Sequence, residues 1–196
     1  MEDQRILTLM CNDGTKVDID SVSSEKSGLL KRLMGDFSDN NILLNNDEVD
    51  GETCKAIVEY LIHYKDTPVE NIKEIWKPLK TIVMKDVTHG DIWAADFIDK
   101  FQPLDLITLA NASSFFELPT LSNLVCAKIA TFFYKYQDDP AKLRETFNLE
   151  EDMTEEDIRK IKEEEEKMNP YELLIRDSIM IWHPYDEEHN KEPETK

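Results

Sequence analysis

The sequence predicts a mixed α/β (α+β) protein: a small β-β-α-β-α unit over residues 1–64, then helices alone from residue 91 onward. Three observations predict it. RILTLM (5–10) and KVDID (16–20) flank NDGT, where Asp-Gly supplies the positive φ that tight hairpin turns need. DGETCKAIVEYLIHY (50–64) carries a clear helical period, with Cys54, Ile57, Val58, Leu61 and Ile62 on one face. Beyond residue 91 apolar residues recur at helical spacing, and Pro103, Pro119 and Pro140 stand where first helical turns accept proline.

The elements follow in order. RILTLM is rich in strand formers, and KVDID alternates apolar and acidic residues as a half-buried strand does. SVSSEKSGLLKRLMGD (21–36) offers serine caps, a helical run through Leu29, Leu30, Leu33 and Met34, and Gly35 as a stop. NILLNN (41–46) reads as a short third strand, and Asp50 caps the helix over 50–64. Residues 65–90 hold two prolines, scattered lysines and a terminal glycine, the pattern of a long connector. DIWAADFIDKF (91–101) places Trp93, Phe97 and Phe101 at i, i+4 and i+8. Helices are expected over 104–116, 119–136 and 140–149. A last helix opens at Thr154 with Glu155, Glu156 and Asp157, close to a capping box and suited to the positive end of the helix dipole. ELLIRDSIMIW (172–182) is apolar enough to dock somewhere, and HPYDEEHNKEPETK (183–196) reads as a disordered end.

Charge narrows the function. Across 196 residues, 23 basic side chains face 42 acidic ones, a net charge of −19. Phosphate backbones and anionic lipid surfaces repel such a chain, so neither nucleic acid nor membrane is an expected partner. The three cysteines, Cys11, Cys54 and Cys126, are far apart and each sits among apolar residues, which fits free buried thiols in a reducing compartment. MEDQRILTLM lacks the long apolar core of a signal peptide, and cytoplasm or nucleus is the expected location. No catalytic constellation emerges: His63 ends an amphipathic helix with no Cys or acid at ligand spacing and reads as a packing or surface residue, and HPYDEEH (183–189), which could hold a divalent ion weakly, lies in the expected disordered end. No Gly-rich loop or nucleophile elbow occurs, so no catalytic residue, metal or cofactor is assigned. EEEE (163–166) reads as a solvated helix face.

One stretch poses a question. FFELPTLSNLVCAKIATFF (115–133) has only Glu117 and Lys128 as charges, in a chain that is 33% charged. On a helical wheel the apolar arc of 119–136 runs roughly 200°, against the ~100° a one-sided surface helix needs. Lys128 interrupts the arc but can extend its ammonium outward. Such a helix needs cover on two sides: a central position in its own core or a docked partner both provide it. ETFNLEEDM (145–153) then sets Phe147, Leu149 and Met153 between two strongly polar helices, in a region of 13 acidic and 6 basic residues over 138–167. Apolar residues in that setting favour a surface completed by a partner helix.

IWAADFI (92–98), SSFFELPTLSNLVCAKIA (113–130) and DPAKLRETFNLEEDMTEED (139–157), in this order, resemble the S-phase-kinase-associated (Skp-type) adaptor family of SCF cullin–RING ubiquitin ligases. Asp13-Gly14, the VDID strand and HYKDTP (63–68) agree, so the resemblance spans roughly residues 5–165. It implies a BTB/POZ fold, built from 1–66 and 91–136 around a connector at 67–90, and a C-terminal helical F-box-binding extension over 137–168, with 169–196 as an atypical tail. It implies no chemistry, but an adaptor that joins F-box proteins to a cullin. Position by position, the cullin-facing residues correspond to Ile42, Leu43, Leu44, Ser114 and Phe115. The F-box-facing residues correspond to Ser122, Cys126, Ile129, Phe133, Leu143, Phe147, Asn148 and Leu149. A homodimer is expected when no partner is present. The chain departs from the family at Ser114 (usually Asn), at Ser122 (usually Leu), in the longer YQDD (136–139), in a Lys- and Trp-bearing connector where the family has an acidic loop, and in a last helix without Trp. Two other readings stand beside it: an enzyme, and a BTB-type scaffold such as an elongin-C-like or kinetochore adaptor.

Overall fold

A computed structural model describes residues 5–36, 40–47, 49–75, 77–150 and 154–167. The chain forms two compact units, residues 1–138 and 139–196. In the first, β1 (Ile6–Met10) and β2 (Lys16–Asp20) pair antiparallel, with Leu7 opposite Ile19 and Met10 opposite Lys16. The turn between them uses Gly14 at φ +83°, a conformation open to glycine. Asp13 binds this turn to the next helix. Its carboxylate accepts from the Thr15 and Gly51 backbone N–H groups, each at 2.8 Å. These donors hold the Asp13 carboxyl below the usual carboxylate range. Gly51 is required by the same approach, because a Cβ there would meet the Thr15 side chain at 2.4–2.5 Å.

The expected single helix over 21–36 is two: α1 (Ser21–Ser24), capped by Asp20, and α2 (Gly28–Asp36), which runs past Gly35. Ser27 causes the break. Its hydroxyl donates to the Phe116 carbonyl at 2.6 Å and accepts from the Leu30 N–H at 3.2 Å, so the helix restarts at a capping serine. β3 (Asn41–Leu43) is shorter than expected and pairs parallel to β1, giving the sheet order β2-β1-β3.

α3 (Gly51–His63) buries Cys54, Ala56, Ile57, Val58, Tyr60 and Leu61. The connector is more ordered than its composition implies. A single 3₁₀ turn at Val69–Asn71 and α4 (Met84–Val87) lie within it, and Ile75, Met84 and Val87 are buried. α5 (Ile92–Asp99) starts at Asp91, which accepts from the Ala94 N–H at 3.0 Å and from the Tyr64 hydroxyl at 2.7 Å. The period-four aromatics are neighbours, Trp93 stacked on Phe97 and Phe101 edge-on to Phe97. Trp93 lies between Phe97, at 4.9 Å, and His63, stacked at 3.6 Å between ring centres with the two planes nearly parallel. His63 is thus a packing residue. α6 (Pro103–Phe115) and α7 (Pro119–Lys135) each open on proline, and the second unit holds α8 (Pro140–Phe147) and α9 (Glu155–Lys167). Among the described residues, no helix is long and apolar enough to cross a membrane. Residues 169–196, with the apolar segment 172–182 and its acidic end, lie outside the described residues.

Candidate functional site

α7 is fixed to the first unit along one side. Leu121, Leu124, Val125, Ala127 and Thr131 are buried. The Tyr60 hydroxyl donates to Thr120 Oγ1 at 2.9 Å, and burial pushes the Tyr60 pKa up to about 12. Lys128 crosses the apolar arc as its length allows: its stem lies against the Phe132 ring, with Nζ 5.3 Å from the ring centre, and the ammonium ends 2.8 Å from Asp99. The pair is partly exposed, which limits its worth to about 1 kcal/mol or less.

The other side of α7 carries Ser122, Cys126, Ile129 and Phe133. At 100° per residue these four fall within roughly 60° of one another, and Ile129 at the edge of the group also packs against the core. Ser122 and Ile129 are half-buried, Cys126 is exposed, and Phe133 keeps 50% of its surface in solvent. The structure therefore gathers four of the sequence-predicted receptor residues into one apolar stripe. Cys126 also corrects the expectation of three buried thiols: Cys11 and Cys54 are buried, Cys126 is not.

In the second unit, Asp139 accepts from the Lys142 N–H at 2.9 Å and starts α8 with Pro140. Asn148 ends it in the left-handed conformation, φ 49° and ψ 44°, which asparagine tolerates better than most residues. The Leu149 N–H then closes on the Arg144 carbonyl at 2.9 Å. This stop sends Leu149 outward at 53% exposure, while Leu143 is half-buried and Asn148 exposed. Phe147 is buried at 6%, so a partner can reach it only in part. Met153 lies outside the described residues. α9 begins with the expected capping box: Thr154 Oγ1 accepts from the Asp157 N–H at 3.2 Å, and Asp157 accepts from the Thr154 N–H at 3.0 Å. The Thr154 hydroxyl and backbone N–H, both donating to the Asp157 carboxylate, lower its pKa. Ile158 and Ile161, one turn apart, are both exposed. Glu163, Glu164 and Glu166 are exposed as a solvated face requires.

The positions matched to a cullin face divide. Ile42 and Leu44 point into the core, whereas Leu43 between them is 60% exposed, as the strand's period of two dictates. Of the three matched positions only Leu43 offers a surface. Ser114 is exposed at the end of α6. Phe115 is half-buried, its ring edge-on to Phe116 at 5.4 Å. The turn after them is locked by Ser27 on the Phe116 carbonyl and by Arg32 on Glu117 at 2.6 Å, with Glu117 at φ 55°. Leu104, Ile107 and Asn111 are also exposed and lie within roughly 80° of Ser114 on the α6 wheel. Sequence reasoning passed over this stripe, although its signal was legible: Leu104 and Ile107 stand one turn apart on α6, opposite in exposure to buried Leu106 and Leu109.

Comparison with known proteins matches residues 119–168 to the Skp1 family, dimerisation domain, a stretch that begins and ends with α7 and α9. An S-phase kinase-associated protein 1 homolog of Tetrahymena thermophila is 31% identical over 149 residues, 76% of this chain and 84% of that protein. The chain belongs to the Skp1 family. Other similar proteins are the E3 ubiquitin ligase complex SCF subunits sconC of Arthroderma otae (26% over 161 residues, 82% of this chain and 92% of that protein) and of Neosartorya fischeri (24% over 160 residues, 82% and 96%). Skp1-family membership accounts for the mixed α+β first unit followed by further helices. It also sets the α7 stripe and the surfaces of α8 and α9 within the stretch the family shares.

Proposed function

We propose that this Skp1-family chain is a non-enzymatic adaptor of an SCF-type E3 ubiquitin ligase, linking an F-box substrate receptor to a cullin. One observation carries the reading: α7 buries one side in its own unit and leaves Ser122, Cys126, Ile129 and Phe133 as an apolar stripe with solvent on it. A receptor helix laid on that stripe removes apolar surface from water, and anchors of this kind contribute about 2 kcal/mol or more each when fully desolvated. Leu143, Phe147, Asn148 and Leu149 of the second unit serve the same receptor, Leu149 being the exposed apolar residue among them. Leu43, Ser114 and Phe115 face the cullin, and Ile42 and Leu44 support Leu43 from within. In this reading residues 1–66 and 91–136 are the BTB/POZ part and 137–168 the receptor-binding part. The relatives' names as SCF subunits support the assignment.

The thiols support a non-enzymatic role. Burial raises the pKa of Cys54 and of Cys11, so both stay protonated and poorly nucleophilic near neutral pH. The adaptor acts in the cytoplasm and nucleus, and without a receptor the α7 stripe of one copy pairs with that of another. Affinity purification of the full chain tests the reading. An adaptor recovers F-box proteins together with a cullin, whereas recovery of the chain alone, as its own multimer, overturns it.

A further inference from the structure

Within this acidic molecule one short strip is basic. Residues 75–85, IWKPLKTIVMK, contain Lys77, Lys80 and Lys85 and no acidic residue, in a chain of net charge −19. The strip belongs to the connector between α3 and α5, and its support is firm. Ile75 and Met84 are buried at its two ends, and Leu79 packs against the core between them. All three lysines are exposed, with Lys77 Nζ 3.1 Å from Asn123 Oδ1 on α7. Ile82 and Val83, adjacent in the chain, are 41% and 51% exposed. A pinned segment thus displays three ammonium groups and two branched aliphatic side chains within nine residues.

We propose that residues 77–85 dock an acidic peptide segment of a partner protein. Its carboxylates meet Lys77, Lys80 and Lys85, and an apolar side chain meets Ile82 and Val83. Charge complementarity selects this occupant. The rest of the molecule repels an acidic segment, so the strip is where attraction is concentrated and register is fixed. Glu74 before it and Asp86 after it bound the site. A duplex or an anionic membrane fits less well. Both present phosphates over a span much wider than this strip, so most of the protein surface they met would be acidic, and polybasic lipid sites use larger clusters of Lys and Arg. The strip shares no residue with the receptor or cullin surfaces, and its occupancy does not depend on either.

The test uses the full chain and two fluorescein-labelled twelve-residue peptides, one with Asp and Glu flanking Leu and Phe, the other with Lys at every acidic position. Fluorescence anisotropy is read at low and at physiological ionic strength. Saturable binding of the acidic peptide alone, weakening with salt, is expected. Lys77→Glu/Lys80→Glu/Lys85→Glu weakens it at least about tenfold. The charge-matched control Lys16→Glu/Lys31→Glu/Lys55→Glu changes it less than about twofold, which separates a local site from the overall field. Ile82→Ser/Val83→Ser weakens it as well. Each variant is checked by circular dichroism and by F-box receptor binding, which all retain. Failure of receptor binding in the wild-type chain counts against the adaptor reading and leaves this one standing. The proposal is overturned if the acidic peptide does not bind, if the strip variant and the control bind it alike, or if single-stranded RNA or phosphatidylserine vesicles bind the strip more tightly than the peptide.

Discussion

α3 and α7 both frame the first unit, and their free sides differ. α3 buries Cys54, Ile57, Val58 and Leu61 and turns Glu52, Lys55 and Glu59 to solvent, where Lys55 pairs with Glu52 and Glu59 with Lys100. α7 buries a comparable line and turns Cys126, Ile129 and Phe133 outward instead. The free side of α3 is mostly charged, with Ile62 its one large apolar residue left exposed, at 44%. α7 is finished on one side only. The comparison teaches that the second side of α7 carries apolar area the chain itself does not cover, which is the surface the proposed receptor site uses.

The largest effect that probes this contrast lies in the core that both helices share. Ile57→Ala removes a fully buried side chain of α3 and is expected to cost about 2–5 kcal/mol, measured by urea unfolding. Next comes Phe133→Asp. Receptor affinity is expected to fall by about 2 kcal/mol or more, read by calorimetry, with folding stability changed by about 0.5 kcal/mol or less. A stability loss as large as that of Ile57→Ala would make α7 an ordinary core helix and erase the distinction. Phe115→Ala is smaller: cullin binding weakens by about 1 kcal/mol or more while receptor affinity holds, as interferometry against each partner would show. The reverse pattern would exchange the two faces. Lys55→Ala, on the charged side of α3, should leave stability and both affinities within about 0.5 kcal/mol of the parent.

Much of this was legible in the sequence, and the boundary follows physical lines. The Asp13-Gly14 turn, the proline-led helices α6, α7 and α8, the Trp93–Phe97 period and the Thr154 cap all depend on interactions between residues a few positions apart. The α7 stripe was legible because the period of a helix fixes which side chains share a face. What depends on distant partners was not. Ser27 breaks a helical run because it reaches Phe116, and Ile75 and Met84 pin a connector whose composition reads as a loop. Phe147 was marked as a contact from its polar neighbours, yet it is buried, and Leu149 beyond the Asn148 turn takes the outer position. Ile42 and Leu44 were assigned by resemblance, where the alternation along β3 admits only Leu43 to the surface.

The three thiols make the central claim measurable in one experiment. Cys11 and Cys54 are buried and Cys126 lies on the α7 stripe beside Ile129 and Phe133. The rate of alkylation by N-ethylmaleimide, followed residue by residue with mass spectrometry, is to be compared for the free chain and for the chain saturated with an F-box peptide. Fast labelling of Cys126 alone in the free chain, and strong protection once the peptide is bound, is the expected result. Equal labelling of Cys126 with and without the peptide would contradict a receptor helix on that stripe.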